Sequence, residues 1–226
     1  MRWRLRGVAH PVVLLLCLAG GGSAAGQQAP PTDLEYPFVP KEFPKSWIIF
    51  SSSELPSAGP TWQVNREQAP ADGVLICLGK PDGYIRTEKA YENYEFCLEW
   101  MFPNDPNGNS GVLLHIVEKD MIWPKCIQLQ MHRPTAGSVF PHSGAKSDNM
   151  LAAIKDSVKP VGEWNKSVIT CDAGKITVVL NGRKIGEVTG CMPQKGSIGL
   201  QSEGAEVHFR SLWLRPLIKI PNTSSK

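Results

Sequence analysis

The chain has 226 residues, 42% hydrophobic and 20% charged, with a formal net charge of +3, enough for one sizeable core without requiring a second domain. Of its 24 Lys and Arg, three (Arg2, Arg4 and Arg6) lie in a leader without Asp or Glu, so the chain beyond it carries 21 charges of each sign. A neutral chain with scattered charge lacks the basic footprint that nucleic acid or an anionic membrane surface requires.

The leader reads as a signal peptide over residues 1–25. The three arginines form a basic n-region, residues 12–19 an apolar h-region, and Ser23-Ala24-Ala25 a small-residue cleavage site. The apolar run is short for a membrane span and no second one follows, so the expectation is an exported protein, periplasmic or extracellular. A lipid anchor at Cys17 is the competing reading, disfavoured by Leu16, where such signals carry a small residue. Residues 26–45 hold Pro30, Pro31, Pro37, Pro40 and Pro44, which exclude a helix or central strand and indicate a linker or an arm. Residues 46–217 are expected to form one β-domain, followed by a flexible tail at 218–226.

Five cysteines remain beyond the leader: Cys77, Cys97, Cys126, Cys171 and Cys191. An odd number leaves at least one thiol unpaired, and no Cys-x-x-Cys pair suggests a structural metal.

From residue 47 onward the dominant period is two. Tyr94, Phe96, Leu98 and Trp100 alternate with Glu95, Cys97, Glu99 and Met101, the pattern of a strand with one buried face. Comparable runs occur at 74–78, 112–117, 127–131, 168–171, 175–180, 198–201 and 207–214, separated by turn signals. Asn181-Gly182 is the strongest hairpin signal, because both residues tolerate positive φ. Only residues 149–158 have weak helical character, ended by Pro160. The predicted fold class is all-β, two packed antiparallel sheets. Val207 and Phe209 share a face whereas Leu212 and Leu214 fall on the other, which predicts a bulge near Arg210 or Ser211.

Strand parity also groups the polar residues. Ile127, Leu129 and Met131 put Gln128, Gln130 and His132 opposite the core; Val112, Leu114 and Ile116 put His115 opposite; and Glu95 and Glu99 lie opposite Tyr94 to Trp100. If these strands are neighbours in one sheet, a carboxylate, two histidines and two carboxamides gather on its outer face. Such groups donate to and accept from hydroxyls, and Glu or His can move protons, which suits a sugar site. Any solvated antiparallel sheet also shows a polar outer face. Arg86 and Lys146 are oxyanion partners if they reach the same face, and Trp62, Trp123, Trp164 and Trp213 offer stacking rings. No nucleophile elbow, phosphate loop or dinucleotide fingerprint occurs.

One ordered series of short signatures is more specific than any of its parts. It runs from Trp62 with Asp72-Gly73-Val74-Leu75 through Tyr84-Ile85-Arg86-Thr87-Glu88-Lys89, Tyr91-Glu92-Asn93-Tyr94-Glu95-Phe96, Leu98-Glu99-Trp100, Asn109-Ser110-Gly111-Val112 and Gln128-Leu129-Gln130. Gly162-Glu163-Trp164-Asn165, Leu180-Asn181-Gly182 and Gly196-Ser197-Ile198-Gly199-Leu200-Gln201 complete it. The series resembles the 3-keto-disaccharide hydrolase family, found in exported bacterial proteins. The resemblance implies a concanavalin-A-like jelly-roll sandwich with a sugar site on its concave outer face. It also implies cleavage of glycosides whose 3-hydroxyl has been oxidised to a ketone by a partner sugar 3-dehydrogenase.

On that resemblance, Glu99, His115 and His132 are the expected catalytic residues. Arg86, Gln128, Gln130 and Lys146 are the expected substrate contacts. The chemistry admits a divalent metal at the enolate oxygen, although no ligand spacing specifies one. Two departures stand out: the family usually shows Glu-x-Gln where this chain has Gln128-Leu129-Gln130, and His115 stands where many members have Arg. An amide binds a hydroxyl but is no base, so the alternative is a non-catalytic glycan-binding module.

Overall fold

The structure is a computed structural model that describes residues 40, 43–53, 61–67 and 73–217. The expected signal peptide, Cys17, most of the expected linker and the tail lie outside the described residues. Among the described residues thirteen strands follow one another: β1 (Trp47–Ser51), β2 (Trp62–Asn65), β3 (Val74–Cys77), β4 (Gly83–Thr87), β5 (Tyr94–Met101), β6 (Gly111–Val117), β7 (Lys125–Gln130), β8 (Val139–His142), β9 (Asn165–Asp172), β10 (Lys175–Leu180), β11 (Arg183–Val188), β12 (Ser197–Ser202) and β13 (Val207–Pro216). They form two antiparallel sheets, one of six strands in the order β1-β4-β12-β6-β7-β8 and one of seven in the order β11-β10-β9-β5-β13-β3-β2. The all-β sandwich is as expected. Among the described residues no helix is long and apolar enough to cross a membrane.

The period of two explains the layers. Phe96, Leu98 and Trp100 from β5, Val112 and Leu114 from β6, Ile127 and Leu129 from β7, and Ile198 and Leu200 from β12 all join one buried cluster between the sheets. Trp100 keeps its indole N–H satisfied inside that core by donating to Ser167 Oγ at 3.0 Å. On the opposite side of β5, Glu95 and Glu99 face outward and meet Arg215 and Arg210 on neighbouring β13.

Other local expectations divide. The β10–β11 hairpin turns at Asn181 and Gly182 with φ of 52° and 82°, the double positive φ of a type I′ turn. The β13 bulge falls between Arg210 and Trp213, with Ser211 at φ 53°. Residues 149–158 are not helical: Leu151 forms a bridge with Val139 and draws the segment out along the edge of β8. The five cysteines beyond the leader are buried free thiols. Burial pushes their pKa values up, to about 12 for Cys97, Cys126 and Cys171 and about 11 for Cys77 and Cys191, so they are unreactive packing residues.

Two glycines of nearly equal φ separate conformational from steric demands. Gly182 (φ 82°) has open space where a Cβ would stand, whereas a Cβ on Gly79 (φ 80°) would overlap the backbone of Ala205. Gly182→Ala is therefore expected to cost about 1 kcal/mol, the left-handed penalty alone. Gly79→Ala should cost on the order of 3 kcal/mol or more, since backbone must move as well. Denaturant midpoints of the two variants check this, and equal losses would contradict it.

Candidate functional site

The outer face of the six-stranded sheet is not a uniformly polar surface. Tyr84, Leu113, Ile116 and Cys126 form a second buried cluster on it, with Phe50 packed alongside. Beside this cluster β7 projects Gln128 and Gln130, β12 projects Gln201, and β8 places Phe140 opposite Gln128 and His142 opposite Cys126. Gly111 of β6 lies among the amides. A Cβ there would come within 2.8 Å of Gln128 Nε2 and 3.1 Å of Gln201 Oε1. The missing side chain is the room the carboxamides occupy.

Gln128 Nε2 donates to Gln130 Oε1 at 3.3 Å and leans on Gln201 Oε1 at 3.5 Å. Gln130 Oε1 also accepts the backbone N–H groups of Met131 and His132, both at 3.0 Å. The Gln130 carbonyl is thus fully engaged, which leaves its amide N–H groups for another partner.

These residues open onto a cleft of about 370 Å³, lined by Asn109, Gln128, Gln130, Phe140, His142 and Glu203, with Trp123 as one wall. Trp123 stacks on the His142 ring, centroids 6.0 Å apart and planes at 13°, and Phe140 is tilted against the same ring at 5.1 Å. Burial holds His142 below the ordinary histidine pKa, so its imidazole is neutral at pH 7. Burial, with Asp82 adding like-charge repulsion, raises the Glu203 carboxyl to about 6. One cleft therefore combines aromatic rings, carboxamides, a neutral imidazole and a carboxyl that titrates near neutrality. Another hollow, about 390 Å³ along β2, is lined by Gln63, Val64, Asn65, Arg66, Glu67 and Ile76 and has no aromatic wall.

The residues expected from parity do not gather as one set. Gln128 and Gln130 share the cleft. Glu99 lies on the other sheet, facing away from the core, where its Oε2 accepts from Arg210 Nε at 2.7 Å and Arg210 covers the Trp164 ring at 4.0 Å. The premise that β5 neighbours β6 and β7 is therefore wrong. His115 also departs from expectation. The β6 register shifts between Leu114 and Val117, and His115 adopts φ 59°. This bulge turns its ring inward, edge-on to Tyr94 at 5.6 Å, with Nδ1 3.1 Å from Pro193 O. There it is 2% exposed, and burial lowers its pKa to about 4.

His132 sits just past β7, with Nδ1 3.2 Å from Thr135 Oγ1, outside the cleft walls. Lys146 is exposed on a segment whose backbone pairs with Met192, also outside those walls. Arg86 does reach the outer face but is bound to Asp120 by two hydrogen bonds. Sequence reasoning missed Asp120, Phe140, His142, Gln201 and Glu203. Phe140 and His142 share a parity, but Pro141 between them hides the strand.

The sequence matches the 3-keto-alpha-glucoside-1,2-lyase-like domain over residues 49–215. The chain belongs to this family. No curated protein matches it. Two solved structures from Parabacteroides distasonis, each named a putative glycosyl hydrolase, resemble this family member. The first has TM-score 0.60 and 21% identity, covering 82% of this chain and 94% of that one; the second has 0.53 and 26%, covering 70% and 94%. A carbohydrate-binding module of class CBM66 from Bacillus subtilis shares the fold at TM-score 0.55 and 12% identity, covering 75% and 95%. In this member of the 3-keto-alpha-glucoside-1,2-lyase-like family, no three His, Cys, Asp or Glu side chains among the described residues gather to hold a metal.

The raised Glu203 pKa has a sign that can be checked. A carboxyl whose folded pKa exceeds its unfolded one contributes stability below the unfolded value and loses it as pH rises through about 6. Carboxyl-carbon NMR should show Glu203 titrating near 6. In Asp82→Asn it should move down yet stay above an ordinary glutamate, because burial is the larger cause; a normal value in the unaltered protein would contradict the account.

Proposed function

We propose that this chain is an exported enzyme that cleaves 3-keto-glycosides in the cleft beside Gln128 and Gln130. The observation that carries the reading is the pairing of a neutral imidazole, His142, with a raised carboxyl, Glu203, inside an aromatic-walled and amide-floored cleft. Family membership supports the substrate class, and the leader at residues 1–25 supports export. A sugar 3-dehydrogenase upstream would supply the ketone.

The chemistry follows from the substrate. A C3 ketone acidifies the C2 proton. His142 takes that proton, and the electron pair left on C2 delocalises to the C3 oxygen as an enolate, which the free N–H groups of Gln130 stabilise. The enolate re-forms the ketone as the C1–O bond breaks, and Glu203 supplies the proton with which the aglycone leaves as an alcohol. Water then adds across C1 and C2 of the resulting 2-hydroxy-glycal. Opposed environments that lower a histidine and raise a glutamate suit them to base and acid in the same pH range.

A glycan-binding module without turnover is the second reading, favoured by the amide at Gln128 and by the CBM66 likeness. The two separate in one assay on a 3-keto-glucoside. The enzyme reading expects aglycone release whose kcat/KM falls on the alkaline side as Glu203 loses its proton near pH 6, and on the acid side as His142 gains one. His142→Ala and Glu203→Gln should each lose about 100-fold or more, and Glu99→Gln less than about twofold. Sugar binding without any release would establish the module instead.

A further inference from the structure

Arg86, expected from sequence to meet substrate, has its guanidinium engaged elsewhere. Its Nε and Nη2 donate to Oδ1 and Oδ2 of Asp120 at 2.8 and 2.9 Å, and Tyr84 Oη donates to the same Oδ1 at 2.7 Å. Nη1 leans on Ser197 Oγ at 3.5 Å. A two-pronged Arg–carboxylate pair fixes direction as well as distance. Arg86 holds Asp120 below the ordinary carboxyl pKa, and the Tyr84 phenol is raised, so this cluster keeps its charges and its donor throughout the neutral range.

The two partners belong to different parts of the sheet. Tyr84 and Arg86 project from β4, whereas Asp120 lies in residues 118–124, the connection between β6 and β7. In the order β4-β12-β6-β7-β8, Asp120 reaches back across β12 while Trp123, three residues later, reaches forward to β8. There its ring stacks on His142 and its carbonyl accepts from Ser143 Oγ. Lys125 Nζ closes the base of the connection on Glu118 Oε1 at 2.8 Å. Between the two anchors Met121 and Ile122 are 51% and 37% exposed. Those side chains are only partly covered, and the Met121 backbone meets the Tyr84 phenol, so polar contacts at Asp120 and Met121 anchor this side of the connection.

We infer that Asp120, clamped by Arg86 and Tyr84, is a positioning residue: residues 118–124 form a strap latched on β4 that sets the Trp123 ring over the cleft for stacking on a sugar. The inference rests on the reading of the cleft as a sugar site. Trp123 is the platform, and Asp120 acts through it without touching substrate. Stacking energy depends steeply on ring placement, so a loosened strap weakens binding before it alters the chemistry.

The test uses the full chain with Asp120→Asn, Asp120→Glu, Trp123→Ala and the double variant Asp120→Asn/Trp123→Ala, circular dichroism first establishing that each folds. Exchange of the Met121 amide, whose backbone meets the Tyr84 phenol at the latch, should rise about tenfold in Asp120→Asn while β6 and β7 stay protected, and Asp120→Glu should recover part of that protection. With a 3-keto-glucoside, Asp120→Asn should raise KM about tenfold with kcat within about twofold, and should add nothing in the Trp123→Ala background. Unchanged exchange would overturn the latch. Fully additive effects, or a fall in kcat at constant KM, would overturn its action through Trp123. Failure of the unaltered protein to bind or cleave any 3-keto-glucoside would instead defeat the sugar-site reading and with it the stacking role, while the exchange result would still decide whether Asp120 holds the strap.

Discussion

A strand shows its side chains alternately to two faces, and the outer face of the six-stranded sheet depends on where β6 breaks that rule. Val112 and Leu114 enter the core and Leu113 faces out, as a period of two demands. The bulge between Leu114 and Val117 then spends one extra residue, sending His115 inward beside Tyr94 and Ile116 outward to join Tyr84 and Cys126. An unbroken strand would have left an imidazole on the outer face opposite Cys126. With the bulge, that face carries an apolar cluster, and the polar cleft is confined to the β7–β8 side.

Confinement shapes the electrostatics. The floor is built from neutral carboxamides packed over Gly111, so the groups that titrate in the cleft are His142 and Glu203. Both are partly buried, and burial drives an imidazole and a carboxyl toward their neutral forms, one downward and the other upward in pKa. The charged groups of the same face, Arg86 and Asp120, neutralise one another at a distance from the floor and connect β4 to the strap that carries Trp123.

Most of the fold was legible in the sequence because it rests on local rules. Alternation gave β5, β7, β10 and β13, Asn181-Gly182 gave its hairpin, and the change of parity after Phe209 gave the β13 bulge. The β6 bulge carried no such mark: His115 adopts a positive φ with no glycine beside it, and its apolar neighbours read equally well as unbroken alternation. Sheet membership was also hidden. Glu99 and Gln128 have the same parity in strands of similar appearance, yet β5 pairs with β9 and β13 whereas β7 pairs with β6 and β8. The site itself is assembled by distant pairings, Gln128 with Gln201 at a separation of 73 residues and Arg86 with Asp120 at 34, which no local pattern specifies.

The central claim is the location of the sugar site, and side-chain amide NMR addresses it without relying on catalysis. Titrating a 3-keto-glucoside into ¹⁵N-labelled protein should shift the Nε2 resonances of Gln128 and Gln130 and the Trp123 indole, and leave the Trp164 indole beside Arg210 and Glu99 in place. Shifts centred on Trp164, with the Gln128 and Gln130 amides unmoved, would contradict the account.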